Sequence, residues 1–410
     1  MREDRKRAIR LVTGQLVGQA AMLSVVPVYS RTIPVFDVGI FQIATAVALI
    51  AQPIATMRLE MITPATRSLG LVRSRTRLAY LVSSGLAVAA MMTGFGLWLT
   101  HSVGADLLVG AGLLLLGYAW IAIDNAVMLR LGELGPLAWR NALAGLLAAI
   151  LQLTAALWLP SAVALAGAVV LGRAVAILLT YRPRPPAWYE DRPAIDDDSF
   201  GVERAFPAIL AGVVTASALQ GLMLTVSVIF GPLGSAQLGM AQRIAGTPTS
   251  LVGQGLSQIV AARGSAIIRA RSGVLESFVR STSLRLCALA AIVCATLIVL
   301  GPLLAVPVLG PEWETAGTLI AVLAAPLSMY LVLVPTMPIM IMIKRERLLL
   351  ILNSFRLFAI VLATTVAGLL TRELLLTAAI TATVWVIAYL LSLASLGLAA
   401  RRWDREVDPR

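Results

Sequence analysis

Apolar residues in this sequence gather into long, nearly uninterrupted runs, and polar residues gather between them. Runs near 20 residues occupy approximately 9–30, 38–57, 78–100, 106–129, 138–159, 162–181, 206–230, 236–260, 284–308, 315–342, 348–370 and 373–399. A helix rises 1.5 Å per residue, so about 20 apolar residues cross a hydrocarbon core roughly 30 Å thick. In lipid every backbone N–H and C=O must find a partner inside the segment, which leaves the helix as the structure for each run. The runs are too long and too uniformly apolar for strands of a membrane barrel. The pattern predicts an all-α integral membrane protein with about twelve transmembrane helices.

Composition points to the same solvent. Apolar residues make up 59% of the chain and charged residues 13%, with a mean hydropathy of +0.88, against roughly 45–50% and about 25% in a soluble domain. The formal net charge of +12 would suggest a nucleic-acid partner in a soluble protein, but these charges lie between apolar runs and read as juxtamembrane anchors. With the N-terminus inside, 28 of the 33 Lys and Arg residues fall on the cytoplasmic side. Arg31 and Arg372 fall outside, and Arg173, Arg243 and Arg356 fall within runs. That asymmetry predicts a bacterial inner (cytoplasmic) membrane protein with both termini in the cytoplasm. The basic start MREDRKRAIR leads into a long run without a small-residue cleavage site and reads as an uncleaved first helix. Cys287 and Cys294 share one run and read as two buried thiols on one helix face.

Organisation follows from one linker, 182–205, rich in proline and charge. It separates an N-terminal six-helix bundle (1–181) from a C-terminal one (206–400), with a tail at 401–410. A faint repeat agrees: Val38-Gly39-Ile40-Phe41-Gln42 resembles Leu238-Gly239-Met240-Ala241-Gln242 at an offset of 200 residues. Both stretches precede a basic loop, so the halves share one orientation, related by an axis normal to the membrane. External connections are all short, which argues against a membrane-embedded glycan polymerase or glycosyltransferase with a catalytic outer loop.

Several stretches carry a family signature. Val28-Tyr29-Ser30-Arg31, then Phe36-Asp37-Val38-Gly39-Ile40-Phe41-Gln42, then Met57-Arg58-Leu59-Glu60-Met61 resemble the opening of the polysaccharide-synthesis family. There a first helix ends near an arginine, a D-x-G-x-F turn opens the second, and R-x-E closes it. Leu309-Gly310-Pro311-Glu312-Trp313-Glu314-Thr315-Ala316-Gly317 is similar to the family's G-x-x-W-x-x-A-G loop. The resemblance implies a MATE/MOP-like fold and a Wzx-type oligosaccharide flippase of the multidrug/oligosaccharidyl-lipid/polysaccharide exporter superfamily. Its cargo would be a polyprenyl-pyrophosphate-linked glycan for O-antigen, capsule or exopolysaccharide synthesis, moved from the cytoplasmic to the outer leaflet, with a polysaccharide polymerase as a candidate partner. The alternative within the superfamily is a multidrug extruder.

Polar residues inside the runs nominate the site. A charge at bilayer depth costs roughly 2.5–3.5 kcal/mol on insertion scales, so such residues face a cavity or a partner. Arg243, Thr247, Ser250, Gln254, Ser257 and Gln258 share about a third of the eighth helix's circumference. Gln42, Thr45, Gln52 and Thr56 repeat the pattern on the second, and Gln15 and Gln19 share one face of the first. One reading is a hydrophilic cavity between the two bundles, where amides meet sugar and Arg243 meets pyrophosphate; the other is hydrogen bonding across helices. Arg31 and Arg58 read as anchors that could reach a cavity mouth, and with Arg173 and Arg356 they are the further candidates for the pyrophosphate contact after Arg243. Asp124, the one acid well inside a run, is either a proton or sodium coupling site or an ion-pair partner of Arg173 or Arg356. His101 is the sole histidine, which argues against a His-based metal site. Lys6 and Lys344 lack a preceding Gly-rich loop, so neither an ATP-driven step nor a cofactor is expected.

Overall fold

The structure, a computed structural model, describes residues 2–63, 68–100, 104–183, 188, 202–270 and 273–407. Among these residues every regular element is a helix. Ten helical stretches are long and apolar enough to cross a membrane, and the chain is a multi-pass membrane protein. One of them, Phe206–Ala270, runs for 65 residues, about three times what a bilayer core of roughly 30 Å accepts. It is broken at Gly231, where φ 66° and ψ −165° define a backbone region open essentially to glycine alone. Gly231 falls between the runs expected at 206–230 and 236–260. The first expected run, 9–30, forms α1 (Arg2–Ser24) and α2 (Val26–Thr32), breaking where Pro27 has no N–H to continue the ladder.

The chain packs into two compact units, Met1–Gln220 and Gly221–Arg410. The first continues with α3 (Val35–Ala55), α4 (Leu59–Ile62), α5 (Leu69–Leu99), α6 (Ala105–Arg130), α7 (Leu134–Trp158) and α8 (Ala162–Leu179). After the linker come α9 (Val202–Ala241), which runs across the unit boundary, a π-helical turn at Gln242–Gly246, and α10 (Thr247–Ala270). Then follow α11 (Leu275–Leu309), α12 (Glu314–Thr336), α13 (Pro338–Met342), α14 (Glu346–Thr371) and α15 (Leu374–Val407). Most of the linker, together with the loops at 64–67 and 101–103 and the last three residues, lies outside the described residues. Within the linker, Trp188 is buried against Val72 and Val127.

One packing scheme serves both units. In the first, α6 is the central helix and packs on α3, α5 and α8, with α7 beside α8. In the second, α12 packs on α10, α11 and α15, with α14 beside α15. The repeat at 38–42 and 238–242 is buried in both places: Val38 and Ile40 in the first unit, Leu238 and Met240 in the second. The glycine-tryptophan loop is also structural. Gly310 turns at φ 115°, Trp313 is fully buried, and Gln237 Nε2 donates to the Glu312 carbonyl over 2.8 Å.

Two expectations need correction. α5 and α11 begin at Leu69 and Leu275, well before the apolar runs at 78 and 284. Hydropathy marks the part of a helix that lies in lipid, whereas its hydrogen bonding continues into water. The thiols are not both buried: Cys287 is exposed and Cys294 half-buried, on a helix most of whose apolar surface faces outward. At the water-side end of α11, Asp404 of α15 caps the helix, accepting from the backbone N–H of Leu275 (2.9 Å) and Glu276 (2.7 Å).

Candidate functional site

The site is built on the α6–α7 hairpin, two helices joined by a short turn at Gly132, φ 74°. Asp124 on α6 and Arg140 on α7 close into an ion pair, with 5% and 1% of their surfaces exposed. Arg140 Nε also donates to Thr180 Oγ1 over 2.7 Å, and that hydroxyl donates to the Ala176 carbonyl over 2.7 Å. Removing a charge from water costs several kcal/mol even after relaxation, so an acid at this depth needs such a partner. The sequence reading offered Asp124 either a coupling role or an ion pair with Arg173 or Arg356. The structure pairs it with Arg140 instead, because α7 begins at Leu134 and antiparallel return brings 140 opposite 124.

The next residue on each helix faces a cavity. Asn125 Nδ2 donates to Asn141 Oδ1 over 3.0 Å, and Asn125 Oδ1 is a buried acceptor without a hydrogen bond. The cavity, of about 370 Å³, is walled by Asn125, Asn141, Gln15 and Gln19, with Arg173 of α8 entering from one side. The guanidinium of Arg173 lies 3.9 Å above the Tyr118 ring, a cation–π contact worth about 0.5–2 kcal/mol. Its Nη1 is buried without a hydrogen bond, and no ion pair joins Arg173 to a carboxylate among the described residues. Among the described residues Arg173 is the one ionisable group on the cavity wall, so their lining is amide-rich and carries a single positive charge.

Small residues create this space. Gly18 of α1 and Gly145 of α7 pack backbone to backbone, and a methyl group on Gly145 would overlap the Gly18 main chain. Close approach through small residues is how helices associate where lipid supplies no hydrophobic drive.

The remaining predicted residues lie elsewhere. Gln42 is buried on α3, its Nε2 without a partner. Arg31 is exposed in the last turn of α2. Arg58 lines a groove of about 240 Å³ in the first unit, 3.6 Å from Glu60. Met57 and Arg58 are both left-handed, at φ 52° and 54°, a strained pair for residues bearing a side chain.

In the second unit, Arg243 is half-buried within the π turn. The turn precedes Pro248, which has no N–H to offer the preceding turn. Gln254 is exposed on α10. Ser257 Oγ donates to the Val334 carbonyl over 3.3 Å, so part of the polar stripe does bond across helices. Arg356 is 7% exposed and lies 5.4 Å from the Tyr389 ring. Thus Gln15, Gln19 and Arg173 share one cavity within the first unit. Sequence reading missed Asn125, Asn141, Tyr118 and Arg140; the signal available for three of them was a DN dipeptide at 124–125 and an RN dipeptide at 140–141, on either side of Gly132.

No family model and no curated protein matches this sequence. Solved structures do share its fold. A multidrug-resistance MATE family transporter of the MOP superfamily, in an inward-facing conformation, superposes with a TM-score of 0.61 at 14% identity over 98% of this chain and 94% of that one. The bent form of a Vibrio cholerae MATE transporter gives 0.57 at 12% identity, over 98% of each chain. A MOP superfamily transporter from Pyrococcus furiosus gives 0.55 at 15% identity, over 98% and 95%. The chain has the MATE transporter fold along nearly its whole length.

Proposed function

We propose that this chain is a membrane transporter that moves an anionic, glycan-bearing lipid, a polyprenyl-pyrophosphate-linked oligosaccharide, from the cytoplasmic to the outer leaflet. The observation that carries this reading is the charge of the cavity in the first unit. Among the described residues Arg173 is its one ionisable group, has no carboxylate partner, and shares the wall with the amides of Gln15, Gln19, Asn125 and Asn141. Amides pair with sugar hydroxyls, and a guanidinium offers a planar fork of donors to phosphate oxygens. An extruder of organic cations would want a free acid at this depth, and Asp124 is already neutralised by Arg140. The sequence motifs at 28–61 and 309–317 support the same reading. Arg243 is a second candidate contact, since π turns inside helices are frequent at functional sites. The reaction implies a polymerase acting at the outer leaflet, and a proton or sodium gradient is a candidate drive.

The test is reconstitution in vesicles loaded with the lipid-linked glycan, with outer-leaflet arrival scored by an added lectin. Arg173→Ala should lower the rate about tenfold or more, the scale of a lost charge-assisted hydrogen bond of about 1.5–3 kcal/mol, at normal protein abundance. Arg173→Lys should keep part of the rate. Normal glycan movement in a stable Arg173→Ala protein, or efflux of organic cations by the wild type, would favour the extruder.

A further inference from the structure

A second cavity opens where α7 begins and α8 ends. It measures about 340 Å³ and is lined by Trp139, Leu179, Thr180, Tyr181 and Arg182, with Gly135 and Pro136 of the first turn of α7. Its depth in the membrane follows from α8, whose 18 residues span about 27 Å at 1.5 Å per residue. That length is close to the thickness of the hydrocarbon core, roughly 30 Å, so Thr180 to Arg182 lie at the lipid-water boundary. Trp139 and Tyr181 are 62% and 59% exposed, and aromatic rings with a polar edge are enriched at this depth. Arg182 is exposed beside them, and among the described residues no acid lines the cavity. Thr180 forms the buried floor, its hydroxyl fixed by Arg140. The charge asymmetry of the sequence assigns this boundary to the cytoplasmic leaflet, which is rich in anionic headgroups.

We propose that this cavity binds the headgroup phosphate of an anionic phospholipid, with Arg182 on the phosphate and the Trp139 and Tyr181 rings against the glycerol and upper acyl chains. Exposed Leu179 continues that apolar wall toward the hydrocarbon. The site is separate from the Arg173 cavity and does not depend on what the protein transports.

The test uses the full chain, purified in neutral detergent and titrated with phosphatidylglycerol or with phosphatidylcholine of the same acyl chains, with retained lipid counted by native mass spectrometry. Wild type should prefer phosphatidylglycerol by about fivefold, the scale of one basic residue near an anionic headgroup. Arg182→Ala should erase the preference, and because Arg182 is exposed the variant should keep its melting temperature. Trp139→Ala with Tyr181→Ala should lower retention of both lipids. An equal preference in wild type and Arg182→Ala would overturn the proposal. So would loss of the preference in Arg173→Ala but not in Arg182→Ala, which would move the lipid to the other cavity. Displacement by inorganic phosphate as readily as by phosphatidylglycerol would assign the site to a soluble anion instead.

Discussion

Asp124 and Arg140 stand at equal chain distances on either side of Gly132, and their side chains meet as a buried ion pair between α6 and α7. Breaking a buried pair from one side leaves a bare charge and costs about 3–5 kcal/mol, whereas replacing both partners with apolar residues is often neutral. Asp124→Asn should therefore lower abundance and melting temperature in detergent, and Asp124→Leu with Arg140→Met should restore both. A stable Asp124→Asn protein that has lost transport would instead return Asp124 to the coupling role.

Cavity charge offers a second test. Asn125→Asp would place a carboxylate on the wall that Arg173 shares. An opposite charge at about 4 Å contributes on the order of 1–4 kcal/mol between water and a protein surface, enough to compete with an anionic substrate. Glycan-lipid movement should fall about tenfold while the protein remains folded, and Asn125→Ser should fall much less. Equal effects from the two substitutions would show that charge is not what the cavity reads.

Packing of α1 on α7 predicts a stability effect without a change of charge. Gly145→Ala forces a methyl group into the Gly18 backbone, and overpacking of this kind costs about 1–3 kcal/mol. The melting temperature should drop, and thiol labelling of a cysteine placed at Gln15 should rise as α1 loosens. Gly167→Ala, which meets nothing within 4 Å, is the control.

At the other end of the chain, Asp404→Ala should uncap α11. Loss of an N-cap carboxylate costs about 0.5–2 kcal/mol, and the loss should appear as faster amide exchange at Leu275 and Glu276, the two N–H groups it holds. Unchanged exchange there would mean that the cap contributes nothing in solution.

Orientation is checked by reporter fusions after Arg140, Arg285 and Arg347, expected in the cytoplasm, and after Asp37 and Trp313, expected outside. A cytoplasmic signal at Trp313 would overturn the assigned topology of the second unit.

Hydropathy alone determined that this is a multi-pass helical membrane protein, because in lipid the length and apolarity of a run dictate its secondary structure. Charge counts suggested an orientation, and the echo of 38–42 in 238–242 suggested two bundles divided at 182–205, whereas the compact units divide at Gln220 and Gly221. The sequence also nominated Gln15, Gln19 and Arg173, since polar groups at bilayer depth must face something polar. Which groups meet was decided by tertiary structure. A linear reading offered Asp124 two arginines, Arg173 and Arg356, and only the antiparallel return of α7 after a left-handed glycine brought Arg140 to it instead. The cavity likewise depends on Gly18 and Gly145 bringing α1 and α7 into backbone contact, an approach set by what each glycine faces across the interface. Helix ends were misjudged for a related reason: hydropathy reports the solvent around a helix, while its length is set by hydrogen bonds and caps such as the one Asp404 provides.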